Sequence, residues 1–490
     1  MAVWSAWLEG DPEALLRVYG NSAGAPGHEF FSRQGGVIPA VARFFWGRPN
    51  LSGGRKARLH VPLAADIATA SADLLFSEPP QFIVGEEGNE AAKVRIDELL
   101  NNGDFHATLV EAAEIVAGLG GGWLRLVWDT EVADTVMVDA VPADAAIGEW
   151  RWGLLAAVTF FTEYTQGSHD QEVIRHLERH EPGAVFHGLY VGNAESLGRA
   201  EALTEHPSTA PYAELVDEDG AIPTGVDSLT AAYVANMRPQ RRWRKIEELA
   251  RLGRSDFDGT EPLMDALDEC YTSWMRDVRL AKARILVPEF MLTDLGKGKG
   301  VAWDEDKEVY AALSVAPTTA AEKQITPQQF DIRVAEHQET ARQLTDEILR
   351  AAGYSPSTFG LGKDGGMATA TEVVSREKQS ARTRDRKTRY FSQALEPLLT
   401  TWLELDALVF GGGAQGSVHV KWADESQPDQ EALSRTIETL NRALAVSADT
   451  KVRMLHPDWD EEQIEKEVEL VRAESGAMVP DLGPLPESAE

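Results

Sequence analysis

The stretch Tyr354-Ser355-Pro356-Ser357-Thr358-Phe359-Gly360-Leu361-Gly362-Lys363-Asp364-Gly365-Gly366, followed by Met367 to Phe410 without a single glycine, decides the reading of this chain. Its first part has the composition of a loop, because glycine and proline punctuate regular structure. Thr369 and Glu372 stand at capping-box spacing, so a helix is expected to start there. Uninterrupted to Phe410, it would extend about 65 Å at 1.5 Å per residue. Pro397 is expected to kink or split it, since proline removes one helix hydrogen bond. Gly411-Gly412-Gly413 ends it.

Upstream, two helices are expected around a compact insert. Thr260 to Ile285 places Leu263, Leu267, Cys270, Trp274 and Val278 on one face, with Thr260 as cap and Pro262 in the first turn. Pro288 closes it. Val334 to Ala352 carries Ala341, Leu344, Ile348 and Leu349 on one side, and Gly353 stops it. Helices of similar length flanking an insert most simply pair antiparallel. The insert holds the turn Gly296-Lys297-Gly298-Lys299-Gly300 and prolines 317 and 327.

Further toward the N-terminus, helices are expected over Pro62–Phe76, Glu90–Leu100 and Phe105–Ala117, the last stopping at Gly118–Gly122. Strands follow at Trp123–Trp128, Thr135–Val138, Ala156–Thr162, Val173–Glu178 and Val185–Val191, the pattern of an antiparallel α+β lobe. Residues 1–60 are rich in glycine and aromatics, and 192–240 read as loops. After the long helix come a strand at Val418–Trp422, a helix from Gln427 onward with Leu433, Ile437, Leu440 and Leu444, and a last helix from Asp458 to Ala473. The Pro- and Glu-rich end is expected to be disordered.

The bulk properties narrow the function. At 490 residues two to four lobes are expected, at roughly 100–200 residues each. The 79 acidic against 47 basic residues leave a net charge of −32, which repels nucleic acid at long range and argues against a sequence reader. It is compatible with a channel through which DNA slides without sticking. The single cysteine, Cys270, excludes an internal disulfide and is expected to be a buried thiol. The N-terminal residues show no leader pattern, and no apolar run approaches the ~20 residues of a membrane span. Localisation in the cytoplasm or in a particle assembled there is expected.

Catalytic signatures are missing. There is no G-x-x-x-x-G-K-[ST], no G-x-S-x-G and no H-E-x-x-H. Gly120-Gly121-Gly122 precedes a strand rather than a helix, so it reads as a turn and not a phosphate cradle. His176 and His180 stand four apart, but their surroundings alternate like a strand, so no metal role is expected. No cofactor is expected. Two basic runs stand out in so acidic a chain. One comprises Arg376, Lys378, Arg382, Arg384, Arg386, Lys387 and Arg389. The other is Arg238-Pro239-Gln240-Arg241-Arg242-Trp243-Arg244. Paired surface charge, contact between subunits and contact with DNA are the three readings of the first. Contact with acidic neighbours ranks above DNA.

Three blocks carry a resemblance to the portal proteins of tailed bacteriophages, of the siphophage type. The first runs from Gly253-Arg254-Ser255-Asp256-Phe257 through Leu267-Asp268-Glu269 and Met275–Leu280 to Val287-Pro288. The second is Thr369-Ala370-Thr371-Glu372-Val373. The third is Pro428-Asp429, Val446–Lys451 and Asp458–Glu465. The resemblance implies an α+β subunit with a wing (1–259 and 367–427), stem helices (260–286 and 331–353), a small α/β clip (287–330), a tunnel loop (354–366) and a helical crown (428–475), with 476–490 a tail. It implies a ring, of twelve subunits, at one capsid vertex of the virion, assembled in the host cytoplasm. Double-stranded DNA would pass through it during packaging and ejection. Terminase, head–tail connector, major capsid protein and scaffold would be its partners, with no membrane. On this resemblance Ser357, Thr358, Phe359, Leu361, Lys363 and Asp364 would line the channel. Lys297 and Lys299 would meet a partner at the clip. Arg376, Arg382, Arg384, Arg386 and Arg389 would lie between subunits. ATP hydrolysis would belong to the terminase, in keeping with the missing P-loop. The alternatives are an enzyme with scattered catalytic residues, capsid-associated or cytoplasmic, and another virion adaptor.

Overall fold

The computed structural model describes residues 1–21, 58–85, 87–165, 172–193, 195–281, 332–361, 370–422 and most of 446–477, with short pieces at 284–286, 293–294, 301–302, 326–328, 437–440 and 442. It is a mixed helix-and-sheet structure in two compact units, residues 1–421 and 422–490.

In the first unit, helix α1 (Ala2–Glu9) and α2 (Pro12–Asn21) precede α3 (Leu63–Phe76). Then come β1 (Gln81–Val84), α4 (Glu90–Leu99) and α5 (Gly103–Leu119). Asn89 and Asn102 cap α4 and α5 by accepting from Ala92 N and Phe105 N, satisfying N–H groups that the helix itself cannot. Helix α5 runs two residues past the expected Ala117, and Gly120 closes it with φ +84°. A side chain there would also strike the Arg254–Ser255 backbone at 2.8 Å, so the glycine cluster is a packed turn. Alanines on α3 (Ala64, Ala68, Ala72) and α5 (Ala112, Ala113, Ala117) are buried where these two helices pack together.

Two antiparallel sheets follow. Strands β2 (Gly121–Val127), β3 (Met137–Pro142) and β10 (Ala231–Ala235) form one in the order β10-β2-β3. The other is β4 (Ala146–Arg151), β5 (Leu154–Thr165), β6 (Val173–Glu181), β7 (Ala184–Asn193) and β8 (Ser196–Glu201), with β9 (Ala221–Pro223) paired to β7. Trp123, Phe160, Val158, Ala146 and Ala231 make the apolar core shared by the two sheets, with Tyr233 and Trp150 against it. The region 192–240 is thus more ordered than expected. Its strands are short and rich in alanine, which gives no clear alternation.

A polar seam crosses this core. Arg125 reaches Asp139 at 2.8 Å and Glu178 at 2.9 Å. His180 joins Glu178 at 2.7 Å and Thr230 at 2.6 Å. Burial opposes the Glu178 charge, yet the His180 hydrogen bond and Arg125 outweigh it and bring the carboxyl down to about 2. Beside it His176 Nε2 and His187 Nδ1 lie 3.1 Å apart, stacked under Tyr212, and burial pushes His187 down to about 4.

The two expected helices are α6 (Glu261–Leu280) and α7 (Val334–Ala352), and they run antiparallel. Asp277 near the end of α6 meets Arg333 at 2.9 Å and His337 at 3.0 Å, at the start of α7. Trp274 stacks on His337, and the half-buried Cys270 thiol donates to His337 O at 3.6 Å. Helix α6 is shorter than expected. Arg284–Leu286 is strand β11, paired with β14 (Thr326–Gln328), and Thr293–Asp294 and Val301–Ala302 form a second short pair, β12 and β13. The remainder of the insert lies outside the described residues.

Helix α8 (Ala370–Val409) is continuous through Pro397, against the expectation of a split. Leu395, Leu398, Leu399, Trp402, Leu403 and Leu405 are all buried, and that burial offsets the ~3 kcal/mol a mid-helix proline costs. Its far end is pinned where Asp406 accepts from Arg95 at 2.7 Å, Thr135 at 3.1 Å and Val136 N at 3.1 Å. Strand β15 (Val418–Lys421) then returns to pair with β1.

Helix α1 was not anticipated. Trp4 and Trp7 are each 1% exposed in a core shared with Ile67, Phe257, Leu267, Ile348 and Tyr354. In the second unit α9 (Ala448–Leu455) and α10 (Glu461–Ala477) close over Val452, Ile464 and Val468. Residues 437–440 and 442 are helical as expected, and the other positions of that helix lie outside the described residues, as do 478–490.

Trp4→Ala should cost about 3–5 kcal/mol in urea denaturation, the range for a large buried aromatic. A second expectation concerns acid. A His187 pKa lowered to about 4 means the folded state resists a proton that the unfolded state accepts near 6.5. Its contribution is whole above pH 6.5 and is lost as the pH falls toward 4. Glu178 adds a further loss between about 4.5 and 2. The urea midpoint should therefore decline from pH 6.5 downward, and His187→Phe should flatten the upper part of that decline.

Candidate functional site

The junction of α7, the following loop and α8 is organised around one buried ion pair. Lys387 and Asp256 are 2% and 0% exposed at their side chains, and their Nζ and Oδ2 lie 2.5 Å apart. Lys387 also donates to Ser71 Oγ of α3 at 2.5 Å. Asp256 accepts from Tyr354 OH at 2.7 Å and from Asn236 Nδ2 at 2.7 Å. Burial lowers the Lys387 pKa and Asp256 counters it, while burial beside Asp256 holds the Tyr354 hydroxyl protonated well above its usual range. Four separate chain segments (α3, the 236–256 connection, the end of α7 and the middle of α8) thus meet at one buried ion pair.

The loop that leaves α7 is tied down beside this pair. Gly353 ends the helix at φ +93°, and its carbonyl accepts from Thr383 Oγ1 at 2.6 Å. Ser380 of α8 accepts from Ser355 N at 2.9 Å and shares a hydrogen bond with Thr358 at 2.7 Å. Of the residues expected to line a channel, Ser357 and Phe359 are half-buried, Phe359 packing edge-on against Tyr354. Thr358 is fixed to Ser380, and Leu361 is exposed. Lys363 and Asp364 lie outside the described residues, as do Lys297 and Lys299 of the insert. The described part of the loop is therefore an anchored base.

The basic run on α8 divides. Arg382, Arg386 and Arg389 are exposed. Arg384 does not belong with them, because it is 6% exposed and its Nε donates to Leu74 O at 2.8 Å. The side chain of Arg376 lies outside the described residues. In the other run Arg242 pairs with Asp258 and Glu261, and Trp243 packs at a tilt against Trp4. Lys387 was not singled out from its neighbours by charge. Helical phase carried the signal, since stepping back four and seven from Phe391 and Ala394 lands on it.

Among the described residues, no group of three or more His, Cys, Asp and Glu could hold a metal ion, and no helix is long and apolar enough to cross a membrane.

The family profile for phage portal proteins, SPP1 Gp6-like, matches residues 52–478, and the chain belongs to that family of structural proteins. Among solved structures it is similar to a chain in the neck of an empty gene transfer agent particle computed with C6 symmetry. There the identity is 14%, over 85% of this chain and 98% of that one, with a TM-score of 0.40. It is also similar to a chain of the virion of the native gene transfer agent particle, at 16% identity over 80% and 88%, TM-score 0.37. No curated protein matches.

Lys387→Met should destabilise the fold by about 3–5 kcal/mol, because it strands the Asp256 charge in the interior. The Lys387→Met, Asp256→Asn pair should cost less than the sum of its single changes in a double-mutant cycle. A single-mutant cost below about 1 kcal/mol would refute the central place given to this pair.

Proposed function

We propose that this chain is one subunit of a ring-shaped portal, sited at a vertex of a phage-like particle. Double-stranded DNA passes through the ring into and out of the capsid. The observation that carries this reading is membership of the portal family over residues 52–478. The structure supports it with antiparallel helices α6 and α7, which serve as the stem, and the short strands of the insert, which serve as the clip. The loop 354–366 is the tunnel loop, α8 with the two sheets forms the wing, and 428–475 is the crown. Twelve copies form the ring. Its partners are terminase, the head–tail connector, the major capsid protein and scaffold. The subunit resides in the virion after assembly in the host cytoplasm.

The mechanism follows from charge and anchoring. A conduit must not bind phosphate tightly, and a net charge of −32 keeps duplex DNA from adhering. The loop base, held by Thr383 and Ser380, fixes where the loop leaves the fold toward the channel. Lys363 and Asp364 belong to the segment that meets DNA. Lys297 and Lys299 face the docked terminase or connector. Arg376, Arg382, Arg386 and Arg389 meet neighbouring subunits.

Negative-stain images of the purified protein should show rings with a central hole, and class averages should give the symmetry. A monomer that persists at every concentration, alone and with scaffold or capsid protein, would overturn the proposal.

A further inference from the structure

The two basic runs lie far apart in the sequence, and the fold sets them side by side. The Lys387–Asp256 pair does this. Arg386 precedes Lys387 by one residue, and Arg254 precedes Asp256 by two. Arg254 lies within the field of both Arg241 and Arg386. Burial, the largest cause, and these two cations lower its pKa, against the opposing fields of Asp258 and Asp256. Arg238 is half-buried near Arg251 and Tyr390. On α8, Lys378, Arg382, Arg386 and Arg389 are exposed at spacings of four, four and three, one stripe of the helix.

The exposed carboxylates on this stretch of α8, Glu377 and Asp385, form no ion pair with these arginines among the described residues. Elsewhere Arg95, Arg125, Arg175, Arg179 and Arg242 all pair with carboxylates. Among the described residues, Arg238, Arg241, Arg254, Arg382, Arg386 and Arg389 pair with none. The carboxylates nearest in sequence to Arg254 are taken, Asp256 by Lys387 and Asp258 by Arg242. The Nε atoms of Arg238 and Arg254 are buried without a hydrogen-bond partner. Half-buried guanidinium groups crowded together are costly unless an anion joins them. Their planar fork fits a carboxylate with two parallel bonds.

We propose that this arginine face, from Arg238 and Arg254 across to Arg382, Arg386 and Arg389, is the seat for carboxylates of a second copy of the chain. The inference rests on the ring reading and deepens it. A ring contact joins two different patches, so each copy must offer both signs of charge. A chain with 79 acidic residues has carboxylates to spare for the unpaired arginines of this face. Duplex DNA is the weaker occupant, because Arg238 and Arg254 are recessed and the acidic surface repels phosphate at range.

The test uses full-length protein with Arg386→Lys or Arg254→Lys, which keep the charge and admit zero-length carbodiimide coupling to carboxylates. Rings are assembled from mixed isotopically heavy and light chains. Heavy–light cross-linked peptides joining the substituted position to an Asp or Glu are expected. Arg254→Glu with Arg386→Glu should weaken assembly at least about tenfold while each chain keeps its circular dichroism. Rings that form with only within-chain cross-links overturn the proposal. So does a double variant that assembles normally but loses binding to a duplex DNA probe, which would make the face a phosphate track. If wild-type protein forms no ring, the ring reading fails. The arginine seat then stands or falls on whether heavy–light links appear in that sample.

Discussion

A lysine ammonium and an aspartate carboxylate, both withdrawn from solvent, hold the first unit together. Neither charge is tolerable alone in that setting, so the Lys387–Asp256 contact constrains everything that approaches it. It fixes α8 in register against α3 through Ser71. It fixes the exit of α7 through Tyr354, and the 236–256 connection through Asn236. The loop after Tyr354 can start from only one place because its neighbours on both sides are bonded to this centre or to the adjoining turn of α8.

Charge is distributed in keeping with that arrangement. Polar contacts to withdrawn carboxylates (Asp406 with Arg95, Glu178 with Arg125 and hydrogen-bonded to His180, Asp256 with Lys387) fasten strands and helices to one another inside the subunit. Arg382, Arg386 and Arg389 of α8 are exposed and form no ion pair among the described residues, in a molecule with a large acidic excess. The same excess weakens the hold of the surface on a passing polyanion.

The elements of the long periodic segments were legible. The α6 and α7 faces, the α8 start and the β5–β7 hairpins follow from apolar spacing and from glycine stops. What was not legible had short or ambiguous patterns. Helix α1 has eight residues, too few for a period to declare itself, yet its Trp4 and Trp7 enter the core. Strand β10 is mostly alanine and takes its conformation from pairing with β2. Pro397 reads as a break in isolation, and only the packing of leucines on both sides keeps the helix whole.

The sequence by itself determined the acidic balance, the helix pair with its insert, the glycine-punctuated loop and the long helix after it. Those depend on local spacing and composition. Tertiary structure alone decided which cations face inward. Arg384 and Lys387 are chemically indistinct from Arg382, Arg386 and Arg389 along the chain. Their fates differ because the helix turns one set toward Leu74, Ser71 and Asp256 and the other away from them. It also decided that two distant basic runs share one face, since residues so far apart in sequence meet only when a buried contact brings their segments together.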